Sequence, residues 1–214
     1  MPTSRTPTTR RIAQQTASSD EQRLKLIQSA YNLIAEKGMA GLRIREVASR
    51  VGLNHATLLY YFPTKEALIQ GVVDYCAHQF DVLQAPNAPT DLTTPRIQLR
   101  QRYLADLAYQ LREVPELFLV LDELLLYARR DADTRKVLSN AVAYWQQSLT
   151  MLFEHDIAQG RFHADLDAKS AALMIISFCQ GISLLLTTSP DDISGVIAQF
   201  ERWFLSISSN GEDK

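Results

Sequence analysis

The sequence predicts an all-α protein, and three observations lead to that prediction. Gly and Pro are sparse, with eight of each in 214 residues. Long stretches carry apolar side chains at the three- and four-residue steps of a helix, with few clusters of β-branched residues. Apolar residues make up 46% of the chain, which is enough for a sizeable core. We therefore expect about nine helices.

The chain begins with a basic segment rich in Thr and Ser. Residues 1–19 contain three arginines, no acidic residue and almost nothing apolar. Because two prolines and runs of threonine disfavour an amphipathic helix, we predict a disordered basic arm rather than a transit peptide. Such an arm either reaches a polyanionic partner or is a solvated tail, and the sequence leaves both open.

A first helix is predicted between Ser19 and Gly38. Ser19 and Gln22 have the spacing of a capping box, and apolar residues then recur at helical steps. Gly38 ends this helix, because glycine adopts the left-handed conformation that is common just past a helix end.

Residues 44–63 predict a helix-turn-helix. The first helix of the pair has one apolar face, formed by Ile44, Val47, Ala48 and Val51. Gly52 ends that helix, and Asn54 is a good N-cap for the next helix, over residues 55–62. A helix, a short glycine turn and a second helix is the arrangement that puts the second helix into the DNA major groove. DNA binding is therefore the leading hypothesis.

The remainder of the chain predicts a fourth helix, a linker and five further helices. Thr64 caps the fourth helix, and residues 84–95 hold three prolines without periodicity, as a linker does. The five later helices are predicted over residues 96–113, 115–130, 132–159, 167–188 and 191–207. We therefore divide the chain into a helix-turn-helix DNA-binding domain, residues 20–81, and a larger helical domain, residues 82–214.

The distribution of charge supports this division. The net charge is only −2, which taken alone argues against a nucleic-acid partner. Residues 1–70, however, carry ten Lys/Arg against five Asp/Glu, a net charge of +5, while residues 71–214 carry twelve against nineteen, a net charge of −7. A basic third on an acidic remainder suits a DNA-binding module attached to a larger body.

Cysteine usage and hydropathy predict a protein of the reducing cytoplasm. Cys76 and Cys179 form neither a disulfide framework nor a metal motif, so we expect two buried thiols, no metal and no cofactor. Residues 171–186 are apolar but too short for a confident membrane span, and polar residues interrupt them every third position. We expect no membrane and a helix covered on most sides, partly by a second subunit.

With these residues in hand, the chain resembles the TetR/AcrR family of ligand-responsive transcriptional regulators. The resemblance covers residues 24–73 and is carried by AYNLIAEKG and IREVASRVGLNHATLLYYFPTKEAL. It implies a homodimer on a palindromic double-stranded DNA operator, released by a small-molecule effector whose identity the sequence does not reveal. Repression is the commoner role in this family, and activation stays open. Two residues depart from the family pattern: Arg43 replaces the usual Thr or Ser cap, and Leu59 replaces a common Tyr.

The predicted DNA-binding residues lie around the second helix of the pair. They are Arg43, Arg45, Asn54, His55, Ala56, Thr57, Tyr60, Tyr61 and Lys65. The first residues of a recognition helix meet base edges, so His55 is the best candidate for reading a base. Ala56 and the Thr57 methyl group suit a thymine methyl. Arg45, which matches a DNA-contacting position in relatives, suits guanine.

Phosphate contacts are expected from the remaining polar side chains of this region. Thr57, Tyr60, Tyr61 and Lys65 are the candidates, joined by Arg43 and by the backbone N–H groups that open the fourth helix. Tyr61 is equally well explained as a core residue, and His55 as an ordinary exposed side chain.

The larger domain is expected to hold an effector pocket and a dimer interface. The predicted pocket residues are Tyr103, Leu107, Phe118, Asp122, Tyr127, Trp145, Leu149 and Phe178. The predicted interface residues are Leu173, Ile176, Gln180, Gly181, Leu184, Val196, Phe200, Trp203 and Phe204. Asp122 either receives a cationic ligand or pairs with an arginine such as Arg129 or Arg130, and the second explanation is favoured.

Other functional classes find less support in the sequence. There is no Gly-rich phosphate loop, nucleophile elbow or paired-carboxylate motif that would indicate an enzyme. A helical ligand-binding or scaffold protein that has lost DNA binding is the alternative, and the intact segment from His55 to Lys65 argues against it.

Overall fold

The structure, a computed structural model, describes residues 7–82 and 106–208. The described residues form nine α-helices and one short 3₁₀ turn, which agrees with the all-α prediction. The helices are α1 (Pro7–Gly41), α2 (Ile44–Arg50), α3 (His55–Tyr61), α4 (Lys65–Val82), α5 (Asp106–Glu113), α6 (Pro115–Ala128), α7 (Ala132–Ala158), α8 (Ala168–Thr188) and α9 (Ile193–Ser206), with the 3₁₀ turn at Pro190–Asp192.

Helix α1 is longer than predicted at its N-terminus. It begins at Pro7, so the prediction of a disordered arm is wrong for residues 7–19, while residues 1–6 lie outside the described residues. Pro7 suits a first helical position, and the Arg, Gln and Ala residues that follow it are good helix formers. The predicted end is confirmed, because Gly38 has φ 65° and ψ 176° and interrupts the helical conformation there.

The chain divides into two compact units, residues 1–75 and 76–214, and the division falls inside α4. The predicted division at residues 81 and 82 lies close to it. The predicted linker, residues 84–95, and the first part of the predicted fifth helix, residues 96–105, lie outside the described residues.

The first unit packs the apolar faces of its helices into one core. Its fully buried side chains include Leu26, Leu33, Ile34, Val47, Leu58, Phe62 and Leu68. Gly71 permits close packing in α4, because a Cβ there would lie 3.1 Å from the Ile27 side chain and 3.2 Å from the Phe62 ring. The close approach fixes the end of α3 against α1 and α4.

The second unit is organised around three buried phenylalanines. Phe153 of α7, Phe162 of the following loop and Phe204 of α9 have ring centroids 5.1 to 6.3 Å apart. An isolated antiparallel bridge joins Phe162 to Ser208. The loop and the end of α9 are thereby held against α7.

A buried ion pair secures the same loop. Asp156 is buried, and it accepts a 2.6 Å hydrogen bond from Arg161. Gly160 turns the chain back, which brings Arg161 beside Asp156 and satisfies a carboxylate that burial would otherwise disfavour.

Both cysteines are buried, as predicted, and burial raises the pKa of each thiol to about 12. The thiols are therefore protonated at neutral pH and act as small apolar side chains.

One described helix segment, residues 168–185 of α8, is long and apolar enough to cross a bilayer by those two criteria alone. Its mean hydropathy is 1.5, and 39% of it is buried. Its buried side chains belong to the core of the second unit, and its exposed residues from Leu173 to Leu185 form a distinct, mostly apolar face.

Candidate functional site

Helix α2 is held against α1 by one buried hydrogen bond and a surface ion network. The Ser29 hydroxyl donates to the Val47 carbonyl oxygen at 3.0 Å. Arg50 donates to both carboxylate oxygens of Glu36 at 2.8 Å and to Glu46 at 3.0 Å, while Lys37 bonds Glu46 at 2.7 Å. The hydrogen bond from Arg50 lowers the pKa of Glu36, and that from Lys37 lowers the pKa of Glu46.

The turn between α2 and α3 has the predicted geometry. Gly52 has φ 72°, a left-handed conformation in which a side chain would be strained. The Gly52 N–H donates to the Ser49 oxygen at 3.1 Å, and the Leu53 N–H donates to the Ala48 oxygen at 2.9 Å. These bonds satisfy carbonyls at the end of α2 and aim the chain into α3.

Asn54 caps α3, as predicted. Its side-chain oxygen accepts from the Thr57 N–H at 2.8 Å and from the Thr57 hydroxyl at 3.1 Å. The Thr57 hydroxyl is therefore engaged inside the domain rather than pointing freely outward. Thr64 caps α4 in the same way, because its hydroxyl accepts from the Ala67 N–H at 3.1 Å.

The buried side of α3 determines which residues point outward. Leu58 and Phe62 are fully buried, and the Arg23 guanidinium lies 5.1 Å from the centre of the Phe62 ring. The opposite face of the helix consists of exposed His55, Ala56, Leu59 and Tyr60, which we call the outward face of α3.

Tyr60 and Tyr61 occupy different environments. Tyr60 is 80% exposed and packs edge-on against the Tyr61 ring at 5.3 Å between centroids. The Tyr61 hydroxyl donates to the side-chain oxygen of Gln22 at 2.8 Å. Of the two explanations that the sequence left open for Tyr61, this bond favours packing within the domain, and the Tyr60 hydroxyl has no hydrogen bond to the residues that the structure describes.

The cationic candidates flank the outward face. Arg45 is exposed and has no ion pair among the residues that the structure describes. Arg43 provides no side-chain cap for α2, and its guanidinium donates instead to the Ala40 carbonyl oxygen at 2.7 Å. Lys65 is half-buried at the start of α4.

Leu59 is a member of the outward face that sequence reasoning left out. It is 37% exposed and lies between the predicted contacts His55 and Tyr60. The signal that could have identified it is helical spacing, since Leu59 lies one turn after His55 and on the same side.

Comparison with known proteins matches both parts of the chain to regulators. The family described as bacterial regulatory proteins, tetR family, matches residues 26–72, and the family described as BetI-type transcriptional repressor, C-terminal, matches residues 95–203. These matches cover most of the chain. It belongs to the TetR family of bacterial regulatory proteins.

Individual relatives agree with this assignment. The HTH-type transcriptional repressor NicS of Pseudomonas putida is 26% identical over 174 residues, which are 80% of this chain and 80% of that protein. The regulator TtgR, also of P. putida, is 20% identical over 190 residues, covering 86% of this chain and 89% of that protein. This TetR-family chain is therefore a DNA-binding transcriptional regulator rather than an enzyme.

Solved structures share the fold. A TetR-family regulator from Rhodococcus sp. has a TM-score of 0.76 at 20% identity, covering 89% of this chain and 100% of that one. A transcriptional regulator from Saccharomonospora viridis, solved in complex with choline, has a TM-score of 0.67 at 22% identity, with the same coverage.

The residues predicted to line the effector pocket of this TetR-family chain are spread over the second unit, and six of the eight have described side chains. Tyr103 lies outside the described residues, and the side chain of Leu107 is not among those described. Phe118 is buried with Leu111, Ile182 and Ile193, and Leu149 packs against the phenylalanine cluster. Those two are core residues, because an aromatic or leucine at helical spacing serves packing equally well.

The other predicted pocket residues are dispersed over the second unit. Phe178 stacks on Phe200 with centroids 3.6 Å apart, Trp145 is 37% exposed, and Tyr127 is half-buried. Of these eight, none of the six with described side chains lines the cleft that lies between α6, α7 and α8. That cleft has a volume of about 480 Å³ and is lined by Leu125, Ala128, Arg129, Arg135, Leu138, Ser139, Val142, Ala143, Gln146 and Gln180.

Asp122 has a different partner from the arginine that the sequence favoured. It is half-buried, and the Ser183 hydroxyl lies 3.0 Å from each of its carboxylate oxygens. Burial raises the pKa of Asp122, while the Ser183 hydrogen bond partly offsets that effect. The expected pairing with Arg129 or Arg130 is wrong, because α6 turns Asp122 toward α8 instead.

The predicted interface residues divide into exposed and buried groups. Leu173, Gly181 and Leu184 are exposed on α8, and Gln180 is half-buried. Val196, Phe200 and Trp203 are half-buried and pack within their own chain. Ile176 and Phe204 are wrong as interface residues, since they are only 3% and 0% exposed. They were misassigned because α8 and α9 carry apolar residues on more than one side.

Proposed function

We propose that this regulator is a homodimeric repressor that binds a palindromic operator and leaves it when a small-molecule effector binds the second unit. The observation that carries DNA docking is the outward face of α3. It projects from a capped, rigid helix whose other side is locked into the core, and cationic Arg45 and Lys65 flank it. A major groove accepts such a helix, and phosphates accept the flanking cations.

Repression rather than activation is supported by the relatives. NicS is named a repressor, and the family that matches residues 95–203 is named for a repressor. A protein bound across a promoter excludes RNA polymerase. Adding this protein to a transcription reaction should therefore lower the amount of transcript made from a promoter that carries its operator.

We also propose that the protein acts in the cytoplasm, where bacterial DNA lies.

The experiment that tests DNA binding begins with selection of bound sequences from a random DNA pool. The selected operator is then measured in gel shifts across a range of salt concentrations. Lys65→Ala should weaken all duplexes alike and lower the salt slope by about one, since one phosphate contact is lost. Arg45→Ala or His55→Ala should change which sequence is preferred.

Lys136→Ala, an exposed position on α7, is the matched control for loss of a positive charge. It should leave both the affinity and the salt slope as in the wild type. Unchanged binding in the Lys65, Arg45 and His55 variants would rule out this docking.

Dimerisation is supported by an apolar face of α8 that the described residues of its own chain leave exposed. Its members recur at helical steps on one side: Leu173, Met174, Ser177, Gly181, Leu184 and Leu185. A Cβ built on Gly181 would meet nothing within 4 Å, so a second helix can approach closely there. In a dimer with two-fold symmetry both subunits contribute the same surface, so this face of α8 would pack against its copy on the second subunit.

The effector site we propose is the cleft between α6, α7 and α8. A volume of about 480 Å³ suits a small organic molecule, and walls that combine apolar side chains with a few polar groups, here amides, a hydroxyl and the guanidinium groups of Arg129 and Arg135, are usual for such sites. Val142→Trp should fill the cleft, so that a metabolite found to release the wild type no longer does so, while operator binding persists. Arg129 and Arg135 are the only charged residues among the described residues that line the cleft, so anionic and neutral compounds are screened first. Choline, with which the S. viridis neighbour was solved, is included as the cationic comparison.

A further inference from the structure

The proposed docking of α3 in the major groove gives no role to Leu59, although this residue is exposed on the outward face. In a helix each residue advances by about 100°, which places Leu59 about 40° from His55 and about 60° from Ala56. It therefore lies between His55 and Ala56 on the outward face. These neighbours are themselves exposed, and 37% of Leu59 is exposed beside them.

A leucine at this place can make only one kind of favourable contact with DNA. Its side chain has no hydrogen-bond donor or acceptor, so it cannot bind a phosphate or a polar base edge. In the major groove, thymine presents the one apolar group, its C5-methyl. Facing any other base edge, Leu59 would remove water from a polar group without replacing the lost hydrogen bond, which is unfavourable.

We propose that Leu59, assisted by the adjacent Ala56 methyl group, reads the C5-methyl of one thymine in each operator half-site. This inference rests on the proposed function, because it requires α3 to lie in the major groove. It makes Leu59 a specificity-determining residue, with a different role from the tyrosine that is common at this position in the family.

The test uses deoxyuridine, which differs from thymidine only in lacking that methyl group. Each thymine of the selected operator is replaced in turn, and the dissociation constant of the full-length protein is measured. Losing one buried methyl should weaken wild-type binding about fourfold at a single half-site and about fifteenfold when both half-sites are changed. The loss should be confined to one symmetry-related pair of thymines.

The Leu59→Ala variant distinguishes a contact with the thymine methyl group from a contribution to affinity that does not depend on that methyl. This variant should bind the thymine operator about as weakly as the wild type binds the deoxyuridine operator, and removing the methyl should weaken it no further. Leu59→Met, which keeps an apolar side chain of similar volume, should retain the preference for thymine. Leu24→Ala is the matched control, because Leu24 is an exposed leucine on α1 and should leave the preference unchanged.

Two results would overturn the inference. One is a wild type that binds thymine and deoxyuridine operators equally at every position. The other is a Leu59→Ala variant that loses the same affinity on both operators and therefore still distinguishes them as the wild type does. Failure of the proposed function looks different, because no selected duplex would then bind at all.

Discussion

The two compact units differ in how far apart in sequence their key contacts lie. In the first unit, the outward face of α3 is set by Gly52, by the cap between Asn54 and Thr57, and by buried Leu58 and Phe62. In the second unit, the corresponding contacts span long distances along the chain. Asp122 and Ser183 are 61 residues apart, and the phenylalanine cluster joins α7, a loop and α9.

This difference explains which functions can be found from the chain alone. The proposed DNA-reading surface is built within a dozen residues, so its geometry follows from local spacing, because caps and turns act over three or four residues. A pocket or an interface assembled from distant helices depends on the angle and depth of their packing. Variants of both units test this contrast.

The largest effect is expected from emptying the phenylalanine cluster. Phe162 is fully buried between Phe153 and Phe204, so Phe162→Ala should destabilise the second unit by about 3 to 5 kcal/mol. Urea unfolding followed by circular dichroism measures it. Tyr144→Ala, at an exposed position of α7, should change stability by less than about 0.5 kcal/mol. A similar result for both variants would mean that the long-range cluster does not hold this unit together.

The next effect concerns the open face of α8. Leu184 is 54% exposed, and Leu184→Glu would place a charge in the proposed apolar interface. We expect a monomer in analytical ultracentrifugation and an operator affinity reduced about 100-fold or more, since the two half-sites are no longer bound together. Leu126→Glu on α6, at a position of similar exposure, should stay dimeric. A dimeric Leu184→Glu protein would refute this interface.

A smaller effect is expected from the local cap of α3. Asn54→Ala removes the acceptor for the Thr57 N–H and should cost about 1 kcal/mol of stability. Asn54→Ser keeps a capping oxygen and should restore most of that loss. Asn140→Ala, in the exposed middle of α7, controls for the loss of an asparagine elsewhere. If Asn54→Ala unfolds as the wild type does, the cap does not stabilise the recognition helix.

The smallest effect is a pH dependence in the second unit. Burial raises the pKa of Asp122 above its ordinary value of 3.8, so the folded state holds this proton more tightly than the unfolded state. Protonated Asp122 therefore contributes to the free energy of unfolding below about pH 3.8, and this contribution is lost as the pH rises through the raised pKa. Asp122→Asn should be more stable than the wild type at pH 7, with the difference shrinking at acidic pH.

Asp165→Asn, at an exposed position, is the control for the change in net charge. An Asp122→Asn protein that is less stable than the wild type at pH 7 would indicate that the ionised carboxylate is favourable in the bundle.

Several elements were predictable because their causes are local. The end of α1 at Gly38, the turn at Gly52 and the caps at Asn54 and Thr64 all follow from residue types whose conformational preference needs no distant partner. The start of α1 was not predictable from a capping box alone, since a helix can continue through Ser19 when good helix formers precede it.

The sequence by itself determined the all-α class, the helix-turn-helix and three of the four residues on the outward face of α3, but it overlooked Leu59 and counted Thr57 and Tyr61 among the outward contacts. Only the tertiary structure decided that Tyr61 bonds Gln22, that Asp122 faces Ser183, and that Ile176 and Phe204 lie in the core rather than at an interface. The physical reason is that helical spacing reveals which residues share a face. Which neighbouring element covers that face depends on how separate helices pack, and the spacing of residues within one helix does not determine that packing.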